Sequence, residues 1–417
     1  MTLPLQPPPK KDPQKRTRVP VRPPAQRSRT GTYLCAFAAE GRFALQVCEA
    51  CGATQYPPRE ACAVCLSMAL TWRDVPAAGM VLADTIVRTS TVVYFRERTP
   101  WRIGTVQLSC GPSVMCHLHG DCEVGQPVRV INRLDKSGHG VLMALPQTDT
   151  AHMEDDELLR ELTCDPKFRR VLITNGRSAA GQALAQALSD AGAAIVFVGE
   201  AESWRPYPGQ DALRQIPNVE VLPMDVTDTD SLTELAGEIG GKVDILINTA
   251  RFVRPGGAMD REDIIFARDE MEVNYLGLMR LAQSFGPAMR ARGADGVNSA
   301  TAWVNILSVY AFSNLPEFGS FAASNAAALS LSQCLRAEMR PGGVRVMNVF
   351  TGPTEDDWHQ PLPPPKVVPS ALARGVVAAL RDGLEDVYLG DVAKDLIERW
   401  RASPKVLERE LTEVEDM

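Results

Sequence analysis

Residues 308–325, SVYAFSNLPEFGSFAASN, decide the fold of the larger half of this chain. Trp303-Val304-Asn305-Ile306-Leu307 runs into them, and Ala326-Ala327-Ala328-Leu329-Ser330-Leu331 continues from them. An apolar run of strand length, a polar loop and a small-residue segment read as buried strand, loop and helix. The same alternation recurs upstream. Residues 169–174 form a short apolar run, Asn175-Gly176-Arg177-Ser178-Ala179-Ala180-Gly181 a glycine-bearing turn, and a helix follows to about Asp190. Further strands are expected at 194–198, within Asp244-Ile245-Leu246-Ile247-Asn248, at 344–350 and at 385–390. Strands alternating with helices predict a doubly wound parallel sheet of the Rossmann type, whose ligands lie at the carboxyl ends of the strands. The helix over 319–337, rich in small residues, suits close packing against a second copy or a related subunit.

A serine at a strand end, Ser308, thirteen residues before an aromatic that opens a helix, Phe321, resembles the short-chain dehydrogenase/reductase family. The resemblance implies that Asn274, Ser308, Phe321 and Asn325 stand at the family's active-site asparagine, serine, tyrosine and lysine. In that family the tyrosine is the acid or base, the lysine lowers its pKa, the serine holds the substrate carbonyl and the asparagine orders a relay water. Phenylalanine has no proton for a developing alkoxide, and asparagine no charge to tune a nearby hydroxyl. Ordinary dehydrogenase activity is therefore expected to be lost unless Tyr310, Tyr275 or a water chain stands in.

The resemblance also assigns cofactor positions: Gly176, Arg177 and Gly181 in the glycine loop, Asp225 and Val226 in the adenine pocket, and Asn248 in the segment matching DILVNNAG. Against TGxxxGxG, Asn175 and Ala179 replace the first two glycines. Asparagine tolerates a left-handed turn, whereas the alanine methyl obstructs close approach of a phosphate. Gly199 falls where NAD-preferring relatives carry aspartate, leaving Glu200 as the only substitute, and Thr249 and Arg251 replace Asn and Gly beside the cofactor. In place of the usual substrate loop, residues 355–365 are acidic and proline-rich. Tight NAD(P) binding is not expected.

The first half carries a different signal. Cys48-Glu49-Ala50-Cys51 and Cys62-Ala63-Val64-Cys65 are two CxxC knuckles with ten residues between them, a spacing that sets four thiolates around one tetrahedral zinc with no open position. The same four thiolates also suit iron. From Trp72 to Leu145, β-rich runs at 80–91, 101–110, 114–119, 127–133 and 140–145 predict a small antiparallel barrel. Cys116-His117-Leu118-His119 looks metal-like, but strand alternation separates Cys116 from both imidazoles, so a buried thiol and two exposed or hydrogen-bonded histidines are expected. Ribbon then barrel, with CxxCG, a PPR before the second knuckle and VGQPVRV near the end, resembles the zinc-ribbon/OB-fold family associated with acyl-CoA thiolases, aldolases and hydratases. It implies a coenzyme A thioester as ligand and a thiolase-fold or aldolase subunit as partner, with the dehydrogenase-like half pairing with itself or with an active short-chain dehydrogenase.

The expected organisation is a disordered basic, proline-rich tail over 1–31, a zinc ribbon over 32–72, an OB-fold barrel over 73–146, an acidic linker over 147–167 and the Rossmann domain over 168–417. With 45% hydrophobic and 23% charged residues, the 417-residue chain has material for more than one core. A net charge of -7 argues against general nucleic-acid binding, and Trp72, Tyr94, Phe95 and Trp101 are as well suited to a core as to base stacking. No run reaches membrane-spanning length, and ten cysteines without a leader-like start point to the cytoplasm. Two functional expectations result: a non-catalytic or scaffolding subunit of β-oxidation-like metabolism, or an NAD(P)-dependent oxidoreductase of hydroxyacyl- or ketoacyl-CoA with an atypical proton relay.

Overall fold

The computed structural model describes residues 2–9, 21–24, 27–293 and 299–412. They form two compact units, divided near residue 165, with 381–385 counted in the first.

In the first unit, helix α1 (Thr32–Ala39) precedes a small antiparallel sheet of β1 (Ala44–Cys48), β2 (Thr54–Gln55) and β3 (Leu70–Asp74), in the order β2-β1-β3. Tyr33 and Phe37 of α1 pack on Trp72 of β3, with ring centroids 5.6 and 5.4 Å away. A closed barrel follows: β4 (Ala78–Val87), the short α2 (Val93–Arg96), β5 (Trp101–Leu108), β6 (Ser113–Leu118), β7 (Pro127–Leu134) and β8 (Gly140–Pro146), ordered β4-β5-β6-β8-β7. The barrel is not wholly antiparallel as expected, because β6 pairs with β8 in parallel. A ring of five strands cannot alternate direction throughout, so one neighbouring pair must run the same way.

Inward Val114, Cys116 and Leu118 alternate with outward Met115 and His117 along β6. The alternation stops there. His119, expected on the face of His117, lies beyond the strand end and is fully buried, Nε2 meeting the Met153 carbonyl at 3.0 Å and Nδ1 accepting the Asp121 N–H at 3.1 Å. Outward, His117 leans on Trp101, which with Phe95 forms a stacked pair 4.8 Å apart.

Two expectations about connecting segments are corrected. Part of the supposed tail is held within the first unit: the Leu5 N–H donates to Asp155, in the turn over Met153–Asp155, at 3.1 Å, and the Ser137 hydroxyl between β7 and β8 donates to the Pro23 carbonyl at 2.8 Å. Residues 10–20 and 25–26, which hold most of its basic residues, lie outside the described residues. The supposed linker is packed as well, since α3 (Glu157–Leu162), capped by Asp156, buries Leu159 and Leu162 against Met143 and Leu145.

The second unit contains β9 (Arg170–Ile173), α4 (Ala179–Asp190), β10 (Ile195–Glu200), α5 (Gln210–Arg214), β11 (Val219–Pro223), α6 (Thr229–Ile239), β12 (Ile245–Asn248), α7 (Ile265–Met271) and α8 (Gly277–Ala291). It continues through β13 (Ala302–Ser308), α9 (Gly319–Met339), β14 (Arg345–Thr351), α10 (Pro369–Asp382), β15 (Asp386–Leu389), α11 (Asp391–Ala402) and α12 (Pro404–Thr412). Seven strands pair in parallel in the order β11-β10-β9-β12-β13-β14-β15. The order reverses between β9 and β12, so the crevice at their carboxyl ends is the ligand position of such a sheet. Strands β12 and β13 are buried almost throughout, as their largely apolar sequences require, with Asn305 of β13 hydrogen-bonded to Trp303 and Ser332. At the opposite edge Asp244 accepts hydrogen bonds from the guanidinium groups of Arg170 and Arg292, tying β9 and the end of α8 to β12. A π-turn over Glu272–Leu276 joins α7 to α8 and carries Asn274. Among the described residues no helix is long and apolar enough to cross a membrane.

Candidate metal centre and nucleotide crevice

The four knuckle cysteines converge, with all four sulfurs within 4.8 Å of one another. Cys48 and Cys65 are 3.6 Å apart, as are Cys51 and Cys62. Each knuckle is followed by a left-handed residue, Gly52 at φ 74° and Leu66 at φ 61°. Their N–H groups return to the carbonyls of Cys48 and Cys62. Glycine takes that backbone freely; leucine does so only under restraint from its surroundings. The Cys62 thiol is drawn down to about 6, chiefly by the N–H groups of Cys65 and Val64. Four sulfur donors in this arrangement fit zinc with every position filled, a structural rather than catalytic geometry.

In the crevice, the glycine turn is rebuilt with different contacts. Asn175 does not adopt the left-handed backbone that its place in the motif suggested; its side-chain oxygen instead accepts the Arg177 N–H at 3.0 Å. Ser178 caps α4 by accepting the Gly181 N–H at 3.0 Å. Gly181 is required, because a Cβ there would lie 1.9 Å from the Asn175 carbonyl oxygen. Gly199 is equally constrained: a Cβ would sit 2.5 Å from the Met224 sulfur and 2.9 Å from the Thr174 carbonyl, leaving no room for aspartate. Buried Glu200 does not replace it. Its carboxylate faces Gln210 at 3.0 Å and Arg214 at 3.4 Å. Asp225 accepts from the N–H and hydroxyl of Thr227, and Val226 packs inward toward Gly277. Asn248 accepts the Thr174 hydroxyl at 3.1 Å, and the Thr249 hydroxyl accepts the Asn175 N–H, so the ends of β9 and β12 are laced together.

The other half of the crevice is filled by the chain itself. Arg251, leaving β12, donates to the Thr354 hydroxyl at 2.9 Å and to His359 Nε2 at 3.0 Å. Thr354 follows β14, so this contact crosses the carboxyl end of β13, where Ser308 stands. Asp356 accepts from His359 Nδ1 at 2.8 Å and from Thr354 at 2.6 Å. Phe318 stacks on the His359 imidazole at 5.6 Å, and the Arg251 guanidinium lies 4.9 Å from the Phe321 ring centre. Arg254, 3.5 Å from the Trp358 ring centre, clamps the same segment from outside. Burial opposes ionisation of Asp356, but the His359 hydrogen bond and the Arg251 charge outweigh it and hold the carboxyl well below its usual range.

Burial, opposed by Asp356 and aided by Arg251, keeps the His359 pKa below its ordinary value. The unfolded chain then takes up the proton first as pH falls through about 6.5. Stability from this imidazole is complete above that pH and is lost on acidification toward the folded value. The thermal midpoint of the second unit should therefore fall between pH 7.5 and 5.5, and His359→Gln should flatten that fall. Parallel pH profiles for the two proteins, followed by circular dichroism, would refute the assignment.

Three family models match the chain in succession: "ChsH2, rubredoxin-like zinc ribbon domain" over residues 36–71, "ChsH2, C-terminal OB-fold domain" over 72–133, and "short chain dehydrogenase" over 169–366. The chain is a fusion of a ChsH2-type zinc ribbon and OB-fold with a short-chain dehydrogenase/reductase domain. An uncharacterized oxidoreductase of Mycobacterium tuberculosis is 34% identical over 199 residues, 46% of this chain and 56% of that protein. A short-chain dehydrogenase of Penicillium ochrochloron is 33% identical over 193 residues, 44% of this chain and 65% of the relative. The chain thus spans little more than half the length of the first of these relatives. A crystal structure of a short-chain dehydrogenase from Burkholderia cenocepacia in complex with NADP is 30% identical, with a TM-score of 0.52, over 58% of this chain and 97% of that one.

Within the dehydrogenase domain Ser308, Phe321 and Asn325 are joined by hydrogen bonds, and Asn274 is held by Phe252 and Ser324. Asn325 Oδ1 accepts the Ser308 N–H at 2.9 Å and its amide donates to the Phe321 carbonyl at 3.0 Å. The Ser308 hydroxyl accepts the Tyr310 N–H at 3.3 Å. Asn274 exchanges two hydrogen bonds with the backbone of Phe252 and donates a third to Ser324. Phe321 is 1% exposed, and Tyr310, pushed up to about 12 by burial, is a poor substitute acid near neutrality. Arg251 stood out in the sequence, but Asp356 and His359 did not; their signal was an Asp-x-x-His spacing just past a strand end.

Proposed function

We propose that this fusion is a non-catalytic accessory subunit of cytoplasmic, β-oxidation-like acyl-CoA metabolism. Its ribbon and barrel serve a thiolase- or aldolase-type partner that handles a coenzyme A thioester. Its dehydrogenase domain is a scaffold that pairs with itself or with an active short-chain dehydrogenase. The observation that carries the reading is the state of Asn325, whose amide is spent on the Ser308 N–H and the Phe321 carbonyl beside a ring with no ionisable proton. The residues do not fit a nicotinamide facing a reducible carbonyl, since Arg251, Thr354 and His359 already bridge that end. Hydride transfer therefore has no place in this role.

Native mass spectrometry of the gently purified, zinc-loaded full chain from its own host tests the partner. A stoichiometric thiolase-fold, aldolase or dehydrogenase subunit is expected; a homo-oligomer carrying NAD(P) and no partner would overturn the reading. In assays with hydroxyacyl-CoA and either oxidised nicotinamide cofactor, turnover should lie below about 0.01 s⁻¹, a typical 10 s⁻¹ less the roughly thousandfold that a positioned acid or base supplies. The double substitution Phe321→Tyr with Asn325→Lys should raise it less than about tenfold, well short of a general acid's usual contribution, because the Arg251 bridge remains. Brisk turnover in that variant would contradict the accessory role.

Retention of Ser308 and Asn274, with NADP bound in the 30%-identical relative, favours one other reading: an NAD(P)-dependent oxidoreductase of hydroxyacyl- or ketoacyl-CoA with an atypical relay. It requires the Arg251–His359 contact to open on binding.

A further inference from the structure

Of the ten cysteines, four gather at the metal centre and the rest are scattered through the fold. One of these stands against an imidazole. Cys35, on the first turn of α1, holds its sulfur 3.8 Å from His139 Nδ1, and both residues are partly exposed. They lie 104 residues apart and meet because α1 is fastened to the hairpin between β7 and β8. Asn132 donates to the Leu34 carbonyl at 2.9 Å, and Gly140 admits the helix, since a Cβ there would lie 2.8 Å from the same carbonyl oxygen. Asp135 fixes the turn at both ends: its carboxylate accepts the His139 N–H at 3.0 Å, and its own N–H donates to the His139 carbonyl at 2.8 Å.

This packing also brings the Gly140 N–H to the Cys35 sulfur, at 3.3 Å. A backbone donor favours a thiolate over a thiol, and so does a place near a helix N-terminus. The imidazole supplies the base. The other acceptor within reach of the thiol, the Gly31 carbonyl at 3.9 Å, can share its proton but cannot take it. Thiol, base and a donor to the charged sulfur are the parts of an activated nucleophile. Cys116 and Cys122 offer no such arrangement, since burial pushes their thiols up to about 12 and about 11.

We propose that Cys35 is an acyl-accepting nucleophile, with His139 as its base, that takes the acyl group of a coenzyme A thioester onto the first unit. The inference rests on the accessory reading above, which supplies the thioester, and gives that reading a covalent step. His139 Nδ1 takes the proton from the Cys35 sulfur, and the thiolate attacks the thioester carbonyl carbon. A bond from that carbon to the Cys35 sulfur forms, its bond to the carrier sulfur breaks, and the departing thiolate recovers the proton from the imidazolium. One thioester replaces another, so the exchange is reversible and needs no oxidant or reductant.

Incubating the zinc-loaded full chain with acetyl-CoA or hexanoyl-CoA near pH 7, then mapping peptides by mass spectrometry, tests this. An adduct labile to hydroxylamine should form at Cys35 at least about tenfold faster than at Cys110 or Cys334, because an unassisted thiol is only a few per cent ionised at that pH. Cys110 is exposed to a similar degree and Cys334 more so, so exposure alone predicts the opposite order. Cys35→Ser should abolish the labile adduct, and His139→Gln should slow its formation to the rate of the other two cysteines. If His139→Gln disturbs the hairpin, the order of the three cysteines in the unaltered chain still decides. Adducts that follow exposure, no adduct at Cys35, or an undiminished rate in a folded His139→Gln would each overturn the proposal. Such a failure with a thiolase-fold partner still co-purifying leaves the accessory reading standing, whereas a partnerless homo-oligomer carrying NAD(P) overturns that reading whatever Cys35 does.

Discussion

Cys48→Ser should reduce bound zinc from about one per chain to a small fraction and unfold the ribbon, as its energetics require. The ribbon sheet is too small to stand otherwise: β2 has two residues and β1 and β3 five each. Its buried Leu45 belongs to the apolar cluster of the barrel rather than to a core of its own. Closure of the two knuckles must come from the metal, and structural zinc contributes on the order of 10 kcal/mol at neutral pH. Four apposed sulfurs without it would hold protons at contact distance or separate. Elemental analysis measures the loss, and amide exchange locates it. Protection at Gln46 and Val47, paired with Gln55 and Thr54, should vanish in the variant or after chelation, while β9 and β12 amides keep theirs. Ribbon amides that stay protected without zinc would show that side-chain packing suffices.

What the sequence disclosed depended on how far apart the partners lie along the chain. The zinc ligands are local, Cys48 to Cys65, and thiolate chemistry leaves few alternatives for such spacing. The parallel sheet was legible because strands buried on both faces are mostly apolar, as β12 and β13 are apart from Asn248, Asn305 and Ser308. The parallel β6–β8 pairing was not, because pairing direction leaves no trace in alternation. His119 was misplaced for a related reason: periodicity predicts faces only while the strand lasts, and β6 ends at Leu118. The Arg251–His359 bridge joins positions 108 residues apart, and neither residue type announces the other. Arg251 read as an obstruction to cofactor; the structure gives it partners, and thereby divides the crevice.

Asn325→Ala should destabilise the dehydrogenase domain by about 2 kcal/mol, the cost of leaving a buried donor unpaired. The donor is the Ser308 N–H, whose acceptor is the Asn325 side-chain oxygen at 2.9 Å in surroundings where both residues are almost wholly buried. The Phe321 carbonyl is less exposed to the change, since the Ser324 hydroxyl also reaches it at 2.8 Å. For a domain of this size the thermal midpoint should drop by roughly 4–8 °C. An unchanged midpoint would mean that water or a shifted backbone replaces the amide, and that Asn325 is incidental. Lysine at this position fares no better than alanine, because an ammonium has no acceptor for the Ser308 N–H. Phe321→Tyr with Asn325→Lys should therefore melt earlier than the parent while gaining little turnover. A catalytic lysine works by keeping its charge available to a neighbouring phenol; Asn325 instead fastens α9 to the end of β13.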